Sequence, residues 1–179
     1  MRHRRPAHEL AYFTIDSNLI AAAVLAAGGL KWGRRPSRTF DIVRGSAVVY
    51  LSITGIVFTL LLANTDVDTA IPWVNTVVHE LMPMVMVADW LLAPPLVRLS
   101  MRQGMLWLGF PFVWIIYTLI RGAITGLYPY PFLNPANGGY ASVAVYCVGV
   151  LVAMAVVCAL SVVIGNAARS DRRPAETAG

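Results

Sequence analysis

"VNTVVHELMPMVMVADWLL", residues 74–92, is apolar enough to sit in lipid, yet it carries His79, Glu80 and Asp89. Burying an ionisable group in a membrane is costly, and such groups usually face a bundle interior and mark a functional site. The flanking sequence shows that lipid is the setting. Residues 45–65 hold no charge, and neither do residues 122–168. A spanning helix needs about 20 mostly apolar residues, so the second run has room for a helix and a sizeable loop. Of the 179 residues 58% are hydrophobic and 13% charged, with a mean hydropathy of +0.65. Soluble domains are about 45–50% apolar and about 25% charged. The expected fold class is therefore all-α, a polytopic transmembrane helix bundle.

Five spanning helices are expected: A over about 10–30, B over about 45–63, C over about 71–93, D over about 105–125 and E over about 140–165. Pro94 and Pro95 stop helix C. Residues 1–168 read as one transmembrane domain, and 169–179 as a polar, disordered tail. The net charge of +5 could point to nucleic acid, but the basic residues lie in short loops between apolar runs, where topology signals belong. Lys31, Arg34, Arg35, Arg38 and Arg44 mark the A–B connection, Arg98 and Arg102 the C–D connection, and Arg169, Arg172 and Arg173 the C-terminus. Asp66 and Asp68 lie in the B–C loop, and the D–E loop after Arg121 is uncharged. The positive-inside rule then puts the C-terminus in the cytoplasm, in a protein of the cytoplasmic membrane.

One end breaks this alternation. Helix A would leave Arg2, Arg4 and Arg5 outside, so either the amino terminus departs from the rule or a preceding helix is missing from this chain. The opening "MRHRRP" resembles a signal peptide, but Thr14, Asp16, Ser17 and Asn18 are poor residues for its apolar region. Cys147 and Cys158 lie eleven residues apart on one expected helix, too far to bridge, and read as packing residues.

On helix C, Asn75, His79, Met82, Met86 and Asp89 recur at steps of four and three, which aligns them on one stripe; Glu80 belongs to a neighbouring face. On helix A, Thr14, Ser17 and Asn18 share a face, with Asp16 elsewhere. Trp114, Tyr117, Thr118 and Arg121 form a stripe on helix D. At ~1.5 Å per residue Thr14, His79 and Arg121 lie at similar depth in the outer half of the bilayer, with Asp89 far below. A hydroxyl and an imidazole at one depth point to a nucleophile and a general base. A Thr hydroxyl is scarcely ionised at neutral pH and needs such a base within hydrogen-bond reach. A third group would orient the ring; Asn75, Asp16 and Glu80 are open alternatives.

The same residues admit plainer roles. A membrane Thr usually bonds its own helix, and a membrane His can join two helices. Asp89 reads more readily as a partner for a buried donor, Arg121 as a headgroup or carboxylate contact, and Met82, Met84 and Met86 as packing. No HxxxH, HExxH, CxxC, GxGxxG or P-loop spacing occurs, so neither a metal nor a nucleotide cofactor is expected.

Three segments, "YFTIDSNL" (12–19), "NTVVHELMPMVMVADWLL" (75–92) and "RGAITGLYPYPFLNP" (121–135), together resemble the androgen-induced, androgen-dependent membrane-protein family and its bacterial branch. The resemblance runs from Tyr12 to about Ile164 and is carried by the order and spacing of the motifs. It implies an intramembrane threonine hydrolase of fatty acid esters of hydroxy fatty acids, with Thr14 in "FTI" as nucleophile and His79 in "NTVVHELMP" as the paired base. It also implies six helices, one of them ahead of the Thr helix. Further expectations follow from that chemistry. Asn18 and Asn75 are candidates for the oxyanion site, and Arg121 could hold a substrate carboxylate. The Tyr128-bearing loop "LYPYPFLNPANGGY" would form an interfacial lid or belt. The expected partners are a lipid or fatty-acyl ester and the bilayer, and a homo-oligomer is compatible with this. The alternative classes are a non-catalytic lipid-binding or assembly protein, or a proton-coupled carrier using His79 and Asp89.

Overall fold

The computed structural model describes residues 12–30, 37–62 and 72–176, with side chains as far as Arg169. The basic residues before Tyr12, most of the A–B connection and the Asp66–Asp68 loop lie outside the described residues. Within them the chain is all-α, with no strand. Among the described residues four helices, Phe13–Leu30, Arg38–Leu62, Met101–Thr125 and Gly139–Arg169, are long and apolar enough to cross a membrane. That is one fewer than the five expected, because the expected helix C, made more polar by His79, Glu80 and Asp89, is not among them. This is the architecture of an integral membrane helix bundle.

Helix α1 spans Phe13–Leu30, and α2 spans Arg38–Val57 with a π turn, Phe58–Leu62, at its end. The expected helix C forms as α3, Pro72–Thr76, a π turn over Val77–Leu81, and α4, Met82–Leu92. The expected helix D is split into α5, Met101–Leu106, and α6, Gly109–Thr125. Two short 3₁₀ turns, Pro131–Leu133 and Pro135–Asn137, precede α7, which runs Gly139–Glu176. It continues well past the expected end near 165 and takes up most of the segment read as a tail. Local chemistry sets the other ends. Ser37 caps α2 by accepting from Phe40 N at 3.2 Å, so this helix starts seven residues before the expected Gly45. Ser100 and Gln103 form a capping box on α5, and Gly126, at φ 71°, closes α6 in the left-handed conformation.

Helix α2 is the axis of the bundle, packed against α1, α4 and α7. Its Ala47, Val49 and Leu51 are fully buried, as are Met86 of α4 and Met154 of α7. The bundle is apolar outside as well: Leu60, Met84, Leu92, Val113, Val145 and Val152 are exposed on four different elements. Several polar side chains point inward instead, Ser17, Thr54, His79, Thr118 and Ser161 all being buried. Such an arrangement suits lipid around the bundle rather than water.

The early start of α2 turns Arg44, expected as a topology charge, and Asp41 one turn before it into core residues. Asp41 and Arg44 are 1% and 6% exposed. Arg44 pairs with Asp89 at 2.9 Å and with Asp41 at 3.6 Å, donates to the Ala93 carbonyl, and lies 5.0 Å over the Trp90 ring. Asp41 in turn accepts from Leu96 N at 2.8 Å. The cluster thus clamps the start of α2 to the end of α4 and to the chain just after it. Removing one partner from a buried ion cluster leaves an uncompensated charge, at a cost of about 3–5 kcal/mol. Arg44→Gln is expected to lose that much, read as a lowered thermal unfolding midpoint in detergent. An unchanged midpoint would show that the cluster contributes nothing to the fold.

Candidate functional site

Thr14 stands in the first turn of α1, His79 in the π turn after α3, and Tyr130 at the entry to the first 3₁₀ turn. All three are buried, at 7%, 7% and 7% exposed. Thr14 Oγ1 lies 3.2 Å from His79 Nε2 and 3.3 Å from the Tyr130 hydroxyl. A hydroxyl and an imidazole are therefore at hydrogen-bond distance, with a phenol against the same hydroxyl oxygen.

Each group is held by its neighbours. The His79 ring sits parallel to Phe58, with centroids 4.4 Å apart and planes 21° from parallel. Its Nδ1 lies 3.1 Å from the Asn75 backbone carbonyl. A carbonyl only accepts, so Nδ1 carries the ring proton and Nε2 of the neutral imidazole is the acceptor that faces Thr14. The orienting third group is thus a main-chain oxygen one turn earlier, in the place that Asn75, Asp16 and Glu80 were expected to fill with side chains. Glu80 is exposed. The π turn that carries His79 is itself a local irregularity of a kind often found at functional sites.

Asn18 donates through Nδ2 to the Thr14 carbonyl at 2.8 Å and to the Val78 carbonyl at 3.1 Å. Both amide protons are spent joining α1 to the π turn, so Asn18 fixes Thr14 against His79 and leaves no donor for an oxyanion. Ser17, on the same face, bonds its own helix at Phe13 O, 2.8 Å, and reaches Thr54 of α2 at 3.1 Å. At the backbone of the π turn, a Cβ at Gly55 would stand 3.3 Å from the His79 carbonyl and from the Pro83 ring. A small residue here lets α2 approach the π turn closely.

A cavity opens beside these side chains, lined mainly by apolar residues of α2, α6 and α7, among them Ile53, Val57, Val150 and Met154, with Thr14 and His79 on its wall. It offers about 50 Å³ to water-sized spheres, several times the ~10–15 Å³ that one water needs. The lining has the apolar chemistry that an alkyl chain needs. His79 also borders an open groove on the outside of the bundle, along Gly55, Ile56, Pro83 and Val87.

The remaining expected site residues lie elsewhere. Asp89 belongs to the ion cluster with Arg44, a full helix below the pair. Trp90 occupies the buried stripe at that level. Arg121 and Tyr128 do not line the cavity. The Tyr128 ring packs on Gly122, where a Cβ would come within 2.2 Å of it. Of the two tyrosines in "YPYPF" it is Tyr130 that reaches the pair. Among the described residues no group of three metal-ligating side chains occurs.

Comparison of the chain with protein-family models, with curated proteins and with solved structures finds no match. The site's chemistry must be read from its own geometry.

Proposed function

We propose that the chain is an intramembrane hydrolase that cleaves the ester bond of an acyl lipid, with Thr14 as nucleophile and His79 as general base. One observation carries the reading: the 3.2 Å contact between Thr14 Oγ1 and His79 Nε2 on the wall of an apolar cavity. In the first half-reaction the Thr14 oxygen bonds to the ester carbonyl carbon, and its proton passes to Nε2. The bond to the alcohol oxygen then breaks, and Nε2 gives that oxygen the proton. In the second, water attacks the acyl-threonine, Nε2 takes the water proton and returns it to Thr14 as the acid leaves. No cofactor enters this scheme.

The acyl chain would lie in the cavity, and the alcohol half would leave along the external groove that also borders His79. A substrate arriving sideways from the bilayer suits both openings. The resemblance to the androgen-induced family narrows the class to fatty acid esters of hydroxy fatty acids or similar lipids. By the positive-inside rule the site faces the outer leaflet of the cytoplasmic membrane and the C-terminus lies in the cytoplasm.

The test is labelling of the purified protein with a fluorophosphonate probe, followed by mass mapping of the adduct. The adduct is expected on Thr14, and both Thr14→Ala and His79→Ala should abolish it. Equal labelling of all three proteins would reject the pair. No labelling of any of them would favour the alternative, a cavity that holds an acyl chain without cleaving it.

A further inference from the structure

Tyr130 has no task in that scheme, yet its hydroxyl touches the nucleophile oxygen at 3.3 Å. The proton positions around Thr14 can be assigned. Nε2 accepts, so the single Thr14 hydroxyl proton points to His79. The 3.3 Å contact with Tyr130 must then be made by the phenol proton, donated to a lone pair of Thr14 Oγ1. The phenol oxygen in turn accepts from the Thr14 backbone N–H at 3.4 Å. The ring is fixed by Tyr12, Trp114 and Phe132, with centroids 5.9, 6.0 and 5.3 Å away. Burial pushes the Tyr130 phenol up to about 12, so it keeps its proton at neutral pH.

When Thr14 attacks, one lone pair of Oγ1 forms the new bond to carbon, and its O–H pair stays on the oxygen as the proton passes to Nε2. Oγ1 thus becomes a neutral ester-type oxygen and a weaker acceptor than the oxyanion beside it. The carbonyl π pair moves onto the former carbonyl oxygen, which is attached to the same carbon and now bears the charge. We propose that Tyr130 turns its O–H onto that oxygen and supplies the hydrogen bond that stabilises the tetrahedral oxyanion. The proton stays on the phenol throughout. The bond is stronger to the oxyanion than to the neutral Thr14 hydroxyl, and only such a difference accelerates the chemical step. Tyr130 thus takes the role for which Asn18 and Asn75 were the sequence candidates. The inference rests on the hydrolase reading.

The experiment compares a p-nitrophenyl acyl ester with its thionoester, whose carbonyl sulfur accepts hydrogen bonds poorly, in wild type, Tyr130→Phe and Thr14→Ala. Removing an oxyanion donor lowers turnover by about 10²–10³-fold. Tyr130→Phe is expected to lose that much in kcat on the ester with KM unchanged, and far less on the thionoester, so the ratio between the two substrates collapses. A residue that merely positions Thr14 would slow both substrates equally, and that result would overturn the proposal. A fluorinated tyrosine at position 130 keeps the ring and the O–H with a more acidic phenol. It should retain both the ester rate and the substrate ratio, which keeps the proposal testable if Tyr130→Phe fails to fold; a loss of either refutes it. Thr14→Ala separates the two readings. If it abolishes turnover while Tyr130→Phe leaves the ratio intact, only the phenol's role falls. If it leaves turnover unchanged, the hydrolase reading falls and this inference with it.

Discussion

Thr14→Ala and His79→Ala should each lower kcat/KM on an acyl ester by about 10³–10⁴-fold, and the double variant should be no slower than the worse single one. The reason lies in the contact itself. In the proposed mechanism the Thr14 oxygen attacks only while Nε2 withdraws its proton, so either loss removes the same step. Once that step is gone, a second deletion has nothing left to remove. Thr14→Ser keeps an oxygen in the same turn of α1 and should retain activity, because the methyl group takes no part in the proton transfer. The measurement is kcat/KM for the four variants in detergent or nanodiscs, with unfolding midpoints as a control for the fold. Losses that multiply in the double variant would show two independent contributions and would sink the nucleophile–base unit.

How far this site was legible from the sequence depended on which signal each residue carried. Thr14 and His79 sit on long apolar helices whose ends can be placed, so their depths could be compared and their meeting expected. The shared face of Thr14, Ser17 and Asn18 followed from helical periodicity, and the structure uses all three. Tyr130 carried no such signal. It lies in a loop of prolines and aromatics where spacing has no period, and nothing in "LYPYPF" separates it from Tyr128. The orienting carbonyl of Asn75 was equally hidden, because every residue has one. Arg44 was read as a topology charge because the apolar run begins at Gly45. The cap at Ser37 extends α2 backwards and draws Asp41 and Arg44 into the bundle, which also gives Asp89 its partner. Helix C was expected as a single rod, and in outline it is one. Its π turn, which carries His79, leaves no trace in the hydrophobic pattern.

Val150→Phe is expected to cut kcat/KM for a long-chain acyl ester by on the order of 10²-fold while leaving an acetyl ester almost untouched. Cys147, Val150 and Met154 follow one another at three and four residues along α7 and line one wall of the cavity, so a ring at 150 stands in the path of any chain running past the pair towards Met154. Burying a methylene stabilises a complex by about 0.8 kcal/mol, and excluding about four of them accounts for a loss of that size. An acetyl group never reaches this part of the cavity. Met154→Ala acts in the opposite sense. Met154 is 1% exposed, so its truncation leaves a hole costing about 2–5 kcal/mol, and the empty protein should unfold at a lower temperature. A longer acyl chain can fill that hole, so the optimum chain length should rise, and a long-chain inhibitor should recover more of the lost midpoint than a short one. Acyl-length profiles for wild type, Val150→Phe and Met154→Ala, taken with thermal shifts under both inhibitors, test the assignment. If both variants keep the wild-type profile, the acyl chain runs in the external groove beside Pro83 and Val87 and this cavity is not its seat.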